Sequence, residues 1–256
     1  MATPIKFEQV AGHPSSMVRL RDGKIAKRTI EREAEFYKHI FDSGSSFSAL
    51  VPKFYGVEEV DGHPCIIIED LTAGFSKPSI MDVKLGSTSA DPRDGILKQI
   101  SMKSKDLQTT TSTLGIRICG MSKHDIKENK VIRRDKSWGK SISQSSMLDA
   151  LKSYFLDGYR IRTDVISGFI RELEKHLSWW EHNSEFHLIS ASLLFIYESD
   201  PVRSTKVVVK MIDLAHSIYP KKKENQVDIL FGLDNLINFF NEILDNVRIN
   251  RPTFAS

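Results

Sequence analysis

The sequence predicts an α+β protein with antiparallel sheets. Two Asp-Gly pairs, Asp22-Gly23 and Asp61-Gly62, each stand between β-type runs, the pattern of a two-residue hairpin turn. Beyond residue 143, apolar residues recur at helical spacing. Two late apolar runs, Phe186–Glu198 and Lys206–Leu214, are separated by a short turn containing Pro201 and read as paired strands. Strand-rich and helix-rich stretches segregated along the chain define the class.

The elements follow in order. Met17–Ile30 reads as the first hairpin, and Glu31–Phe41 as a short helix with Ala34, Tyr37 and Phe41 at helical spacing. The loop DSGSSFS ends it. FYGVEEV and HPCIIIEDL then form the second hairpin, in which Cys65–Ile68 has the unbroken apolar run of a strand buried on both faces. Thr72–Pro78 leads out of this region. Ser79–Leu85 reads as a strand, Pro92–Lys105 as a helix with proline in its first turn, and Thr113–Met121 as another strand. Met147–Leu156 and Thr163–Trp180 are amphipathic helices. The second aligns Val165, Phe169, Ile170, Leu173, Leu177 and Trp180 on one stripe. Val227–Val247 reads as a long closing helix. There is no internal repeat.

Composition narrows the function classes. With 40% hydrophobic and 27% charged residues the chain has a globular mix, and no apolar run nears the ~18 residues of a membrane helix. MATPIKFEQV lacks the basic-then-apolar order of a secretion signal. Cys65 and Cys119 are the only cysteines, so no disulfide framework is expected and a reducing compartment, cytoplasmic or nuclear, is the natural setting. A net charge of +3 is too small to imply a nucleic-acid binder. Residues 91–140, however, hold twelve Lys/Arg and six Asp/Glu, a local +6. Such a segment suits an anionic partner held at one place, and equally a solvated surface stretch.

Several familiar sites are missing. Gly139-Lys140-Ser141 resembles the end of a P-loop, but the glycine required at position 134 is Arg134. There is no GxGxxG, no His-Arg-Asp, no zinc-spaced Cys/His set and no GxSxG.

Three features carry chemistry. Lys27 lies on the second strand of the first hairpin, six positions before Glu33 on the next helix, the order by which kinase-like lobes hold nucleotide phosphates. A hairpin lysine with its ammonium in water has the same local sequence. Asp213 closes the apolar run TKVVVKMID, where a Mg²⁺-binding aspartate of a phosphotransferase belongs, or where an aspartate caps a turn. Asp82 and Lys84 in PSIMDVKLG are two apart, so a strand projects both from one face. Together they can bind a hydroxylated ring and neutralise a phosphate, or form a surface ion pair.

PSIMDVKLG fits P-x-x-x-D-x-K-x-G, the signature of the inositol polyphosphate kinases. In the same order come QVAGH at Gln9–His13, Lys27 followed by REAEFY at Arg32–Tyr37, and EDLT at Glu69–Thr72. SASLLFIYE at Ser190–Glu198, MIDLAHS at Met211–Ser217 and DILFGLDNLI at Asp228–Ile237 complete the series. The sequence resembles this family along essentially its whole length. TTTSTLGIRICGM at Thr109–Met121 and the histidine of MIDLAHS look most like the inositol hexakisphosphate kinase branch. Two departures stand out: Leu214 replaces the usual aromatic after the metal aspartate, and position 230 is Leu.

The resemblance implies a two-lobed, protein-kinase-like or ATP-grasp-like fold with an added inositide-binding helical segment. It implies a β-rich nucleotide-binding lobe at 1–72 and a C-terminal lobe at 73–256, with the inositol phosphate-binding segment at 91–107. On this likeness Lys27 would contact ATP phosphates, Glu33 would orient it, and the backbone of Glu69 and Leu71 would meet adenine. Asp82 would bind ribose or position the acceptor, and Lys84 would contact the transferring group. Asp213 would hold Mg²⁺ with Ser192 close by, and His216, Lys98 and Lys103 would face the inositide. The implied activity is ATP- and Mg²⁺-dependent phosphorylation of inositol hexakisphosphate to a diphosphoinositol pentakisphosphate. The alternative is a multikinase or 3-kinase acting on hydroxyls of tris- or tetrakisphosphates. A soluble inositide substrate, no nucleic acid, no membrane span and a monomer are expected.

Overall fold

A computed structural model describes residues 16–183, 185–219 and 225–249. The QVAGH match falls outside them. Strands β1 (Met17–Arg19), β2 (Lys24–Arg28), β3 (Phe54–Val60) and β4 (His63–Glu69) form a four-stranded antiparallel sheet, ordered β1-β2-β4-β3. Both Asp-Gly turns have positive φ at both residues, 59° and 68° at Asp22-Gly23 and 51° and 72° at Asp61-Gly62. That is the type I′ geometry that matches strand twist. Helix α1 (Glu31–Asp42) packs Phe36, Tyr37 and Ile40 into the core. Cys65–Ile68 is buried throughout, as its apolar run predicts.

The second sheet is ordered β10-β9-β5-β6-β7 and is antiparallel throughout. It consists of β5 (Pro78–Leu85), β6 (Ile116–Asp125), β7 (Lys130–Arg134), β9 (Ser192–Glu198) and β10 (Val207–Ile212), and β8 (His187–Leu188) pairs separately with β11 (Ser217–Ile218). Met81, Val83 and Leu85 of β5 enter the core, so alternate residues Asp82 and Lys84 point to the opposite face. Helices α5 (Met147–Phe155), α6 (Thr163–His182) and α7 (Val227–Ile249) cover the core face. In α6 the stripe Val165, Phe169, Leu173 and Trp180 is buried as its spacing requires. Gly232 of α7 lies against Gly115, where an added Cβ would stand 2.4 Å from the Gly115 carbonyl oxygen. Only glycine allows that approach. Among the described residues no helix is long and apolar enough to cross a membrane.

Three expectations need correction, and two elements were not anticipated. Helix α2 runs Ile96–Leu107 and does not start at Pro92. The Asp91 carboxylate accepts from the backbone and guanidinium of Arg93, holding the preceding residues as a turn. Thr113 belongs to a one-turn helix, α3 (Thr111–Leu114), which Gly115 ends at φ 63° before β6 begins. The run Phe186–Glu198 is broken into β8 and β9 around Ser190, whose φ is 62°. Within the basic segment, β7 and helix α4 (Lys136–Ser141) had no sequence signal. β7 is a partly exposed edge strand with only Val131 and Ile132 apolar, and α4 is six residues long, capped by Asp135.

Candidate active site

Three sections of chain converge beside the open face of β5. Lys27 on β2 places its Nζ 2.7 Å from Glu33 Oε1 and 2.7 Å from Asp213 Oδ1. Glu33 is buried and further fixed by the Thr29 hydroxyl at 2.9 Å and the Leu214 amide at 3.2 Å. Burial alone would lower the Lys27 pKa, but Asp213 and Glu33 outweigh it and hold the ammonium charged. Lys27 in turn lowers the Asp213 carboxyl against the opposing effect of burial. Asp213 sits just past β10 in the left-handed region, φ 61°, which Asp tolerates better than most residues. Its side chain is 48% exposed while holding Lys27.

Asp82 and Lys84 are both buried. Burial, joined by the nearby Asp213 charge, pushes the Asp82 carboxyl up to about 7, while a hydrogen bond from Ser192 and the charges of Lys84 and Arg117 work against the rise. Its Oδ1 is buried with no hydrogen-bond partner. Two carboxylates, one of them with an orphaned buried oxygen, and the Ser192 hydroxyl form a hard-oxygen set that fits a Mg²⁺ ion. The described residues contain no group of three or more His, Cys, Asp or Glu side chains able to hold a metal by themselves. A cation here would therefore complete its shell with phosphate and water oxygens.

Lys84 lies directly across the sheet from Arg117 on β6. Both are buried, and neither has an ion-pair partner among the described residues. Burial and then Arg117 lower the Lys84 pKa, and Lys136 of α4 adds to the effect. Lys84 thus lies in the field of two other cations, with Asp82, Asp106 and Asp213 as the nearby carboxylates. Arg117 and Lys136 are functional candidates that the sequence reading missed. Arg117 sits inside the recognised TTTSTLGIRICGM stretch, but its pairing depends on cross-strand register, which includes a bulge where Cys119 is the extra residue.

His216 follows Asp213 in a single 3₁₀ turn, and its Nδ1 lies 2.8 Å from the Asp91 carboxylate. Asp91 is fully buried, also receives Arg93 in a bidentate pair, and lies 3.4 Å from Arg32 of α1. Arg93, then His216, hold its carboxyl well below the ordinary range against burial. Asp91 is a third missed residue: it connects α1 to the segment carrying His216.

At the end of β4, the Glu69 amide donates to the Lys53 carbonyl, whereas the Leu71 amide has no intramolecular partner among the described residues. Asp70 locks this strip, pairing with Arg19 at 2.8 Å and accepting from the Thr72 amide at 2.9 Å. Lys98 and Lys103 are exposed on α2, and Lys98 is paired with Asp94 at 2.9 Å. Five residues of α-helix separate them by about 140° around the axis, so one helix face cannot present both.

A strand lysine clamped by a helix glutamate, a strand-end aspartate and two antiparallel sheets sharing one core define a kinase-like α+β protein. Comparison with known proteins narrows the class. The inositol polyphosphate kinase family model matches residues 65–241, and the chain belongs to that family. The inositol polyphosphate multikinase of Schizosaccharomyces pombe is 29% identical, covering 93% of this chain and 97% of that protein. The human inositol polyphosphate multikinase is 28% identical over 87% of this chain, and mouse inositol hexakisphosphate kinase 3 is 27% identical over 71%. This chain spans only about half of those two proteins, 57% and 51% of their lengths. An S. cerevisiae inositol phosphate multikinase solved with ADP and Mn²⁺ superposes with a TM-score of 0.77 at 28% identity, over 86% of this chain and 99% of that one.

Proposed function

We propose that the chain transfers the γ-phosphoryl group of ATP to a soluble inositol polyphosphate with the help of Mg²⁺. The observation that carries this reading is the Lys27–Glu33–Asp213 cluster, with the buried Asp82 and Lys84 close enough to feel the Asp213 charge and Arg117 paired across the sheet from Lys84. Phosphoryl transfer asks mainly for positioning and charge neutralisation, and the cleft offers both. Lys27 contacts ATP phosphates, with Glu33 orienting it, and the Glu69–Leu71 backbone offers adenine a free amide. Asp213, with Ser192 and Asp82 beside it, would hold Mg²⁺, which neutralises phosphate charge when bound. Lys84 and Arg117, with Lys136, receive the transferring group and the acceptor's phosphates. His216 faces the same acceptor, and Lys103 contributes from the 91–107 segment, Lys98 being held by Asp94 about 140° further round the helix. The nucleotide lobe is 1–72 and the acceptor lobe 73–256. A reducing compartment, cytoplasmic or nuclear, suits two free cysteines, and the protein acts as a monomer.

Two acceptors follow from different observations. Inositol hexakisphosphate, giving a diphosphoinositol pentakisphosphate, is favoured by TTTSTLGIRICGM and MIDLAHS; its attacking oxygen is a phosphate and needs no strong base. A hydroxyl of an inositol tris- or tetrakisphosphate is favoured by Asp82, whose carboxyl near neutrality suits a general base, and by the multikinase relatives. Turnover of each inositide with labelled ATP and Mg²⁺, with Asp213→Asn as control, tests both. Product from hexakisphosphate alone supports the first and product from the trisphosphate alone the second. No product from either, with binding retained, overturns the kinase reading.

A further inference from the structure

Asp91 has more partners than a fold anchor needs. Its side chain is 1% exposed, and Arg93 takes it with three groups, the backbone amide at 2.9 Å, Nε at 2.9 Å and Nη2 at 2.7 Å. Oδ2 also meets His216 Nδ1 at 2.8 Å and, more loosely, Arg32 Nη1 at 3.4 Å. Two guanidiniums already bring positive charge to this one carboxylate, so the histidine contact serves orientation more than charge. The rest of His216 is fixed as well. Its carbonyl accepts from the Ile189 amide at 3.1 Å, and Arg93 Nη1 donates to the carbonyl of the next residue, Ser217, at 2.8 Å. The ring itself stays 30% exposed, near enough to Asp213 to bear on its carboxyl. Nε2 has no hydrogen-bond partner among the described residues.

We propose that Asp91 is a positioning residue for phosphoryl transfer: it fixes His216 as the Nδ1–H tautomer, so that Nε2 meets the inositide as a lone pair. The inositide comes from the kinase reading, on which this role rests; the hold on the ring does not depend on it. Arg93 and then His216 keep the Asp91 carboxyl well below the ordinary range. An ionised carboxylate only accepts hydrogen bonds, so Nδ1 must donate, and a neutral ring with its proton there leaves Nε2 free to accept. A lone pair at Nε2 accepts from an inositol hydroxyl or a singly protonated phosphate, and repels a fully ionised phosphate oxygen. The tautomer thereby selects which part of the inositide lies against His216. An aspartate that orients a histidine works through the ring and touches no substrate itself. A purely structural Asp91 would be satisfied by Arg93 alone.

Imidazole nitrogen NMR of the isotope-labelled full chain, in mildly alkaline buffer with no nucleotide or inositide added, reads the tautomer directly. His216→Gln identifies the signal. The expected spectrum has the proton on Nδ1 and none on Nε2. Asp91→Asn should keep its carbonyl on Arg93 and turn its amide to the ring, moving the proton to Nε2. A proton on Nε2 in the unaltered protein overturns the proposal, and that reading needs no Asp91 variant that folds. An unchanged tautomer in Asp91→Asn overturns it too. Turnover with labelled ATP and Mg²⁺, the inositol tris- and hexakisphosphates offered separately, gives the second readout. Asp91→Asn should lower kcat about 10–100-fold, the range for removing the carboxylate partner of a working histidine, with the KM for ATP unchanged. Because Asp91 acts through His216, adding Asp91→Asn to His216→Gln should cost nothing further. Losses that multiply would make Asp91 a structural residue and overturn the proposal. No turnover by the unaltered protein overturns the kinase reading and this role with it, whereas turnover with Nε2 protonated overturns this role alone.

Discussion

The two sides of the cleft handle charge in opposite ways. On one side Lys27 lies between Glu33 and Asp213, with both contacts at 2.7 Å and Glu33 saturated by two further donors. On the other, Asp82, Lys84 and Arg117 are buried close together with no ion pair of their own and one orphaned carboxylate oxygen. The first side is balanced and supports the fold. The second is held in an electrostatically poor state by the core packed behind β5, and a polyphosphate with its cation would relieve it. Buried groups that are expensive to keep unpaired mark where a ligand belongs.

The largest effect that would separate the two sides is loss of Lys27. Lys27→Met leaves Glu33 buried beside Asp213 without its counter-ion. Breaking a buried pair from one end costs about 3–5 kcal/mol, so urea denaturation should shift strongly. Turnover should fall more than about a hundredfold, as when a charge-stabilising donor is removed. If stability is unchanged, the balanced side is not structural.

On the opposite side the sign reverses. The folded Asp82 carboxyl titrates at about 7. The unfolded one titrates near 3.9, so between those values the unfolded chain holds fewer protons and stability falls as pH rises. Asp82→Asn removes that penalty, and the metal-free protein should gain roughly 3–4 kcal/mol near pH 8 while losing activity. Equal stability of the two proteins at pH 8 and at pH 4 would contradict the burial argument.

A ligand sharpens the same contrast. Inositol hexakisphosphate at about a hundred times its Kd should add about 2.7 kcal/mol to the unaltered protein, seen as a rise in Tm. The double variant Lys84→Met, Arg117→Met should melt no lower than the parent without ligand and lose most of that rise. A lowered unliganded Tm would show that these cations have partners within the fold.

The smallest effect comes from a control site in the core. His176 of α6 is buried, its Nδ1 has no partner, and burial lowers its pKa to about 4. The unfolded histidine takes up a proton near pH 6.5 while the folded one stays neutral, so this contribution is intact above that pH and is lost as pH falls. Between about pH 6.5 and 5 the unaltered protein should lose roughly 1–2 kcal/mol that His176→Leu does not. Denaturation curves at the two pH values measure it. Asp82 and His176 therefore weaken the fold in opposite pH directions.

How much of this was legible in the sequence follows from which contacts are local. Lys27 and Glu33 are six residues apart on a strand and the next helix, Asp82 and Lys84 two apart on one strand, and Asp213 ends an apolar run; all three were readable. Arg117 was not, because a cross-strand neighbour is set by register and a bulge. Asp91 was not, because its partners Arg32 and His216 are 59 and 125 residues away. The start of α2 was misplaced because Pro92 suits both a first helical turn and the Asp91 turn that forms. The type I′ hairpins were readable, since Asp-Gly alone selects that backbone.

β5 is the middle strand of its sheet, with β9 on one side and β6 on the other. Its amides can exchange with solvent only when two ladders open together, so their protection should approach that of global unfolding. Inheritance treats such a strand as a block: a change that moves Asp82 moves the core residues beside it and both neighbouring strands. Helix α2, held by one buried side chain, can be rewritten residue by residue without that penalty. The placement of Asp82 is therefore tied to the core and to both neighbouring strands, whereas the sequence of α2 is tied to little beyond Asp106.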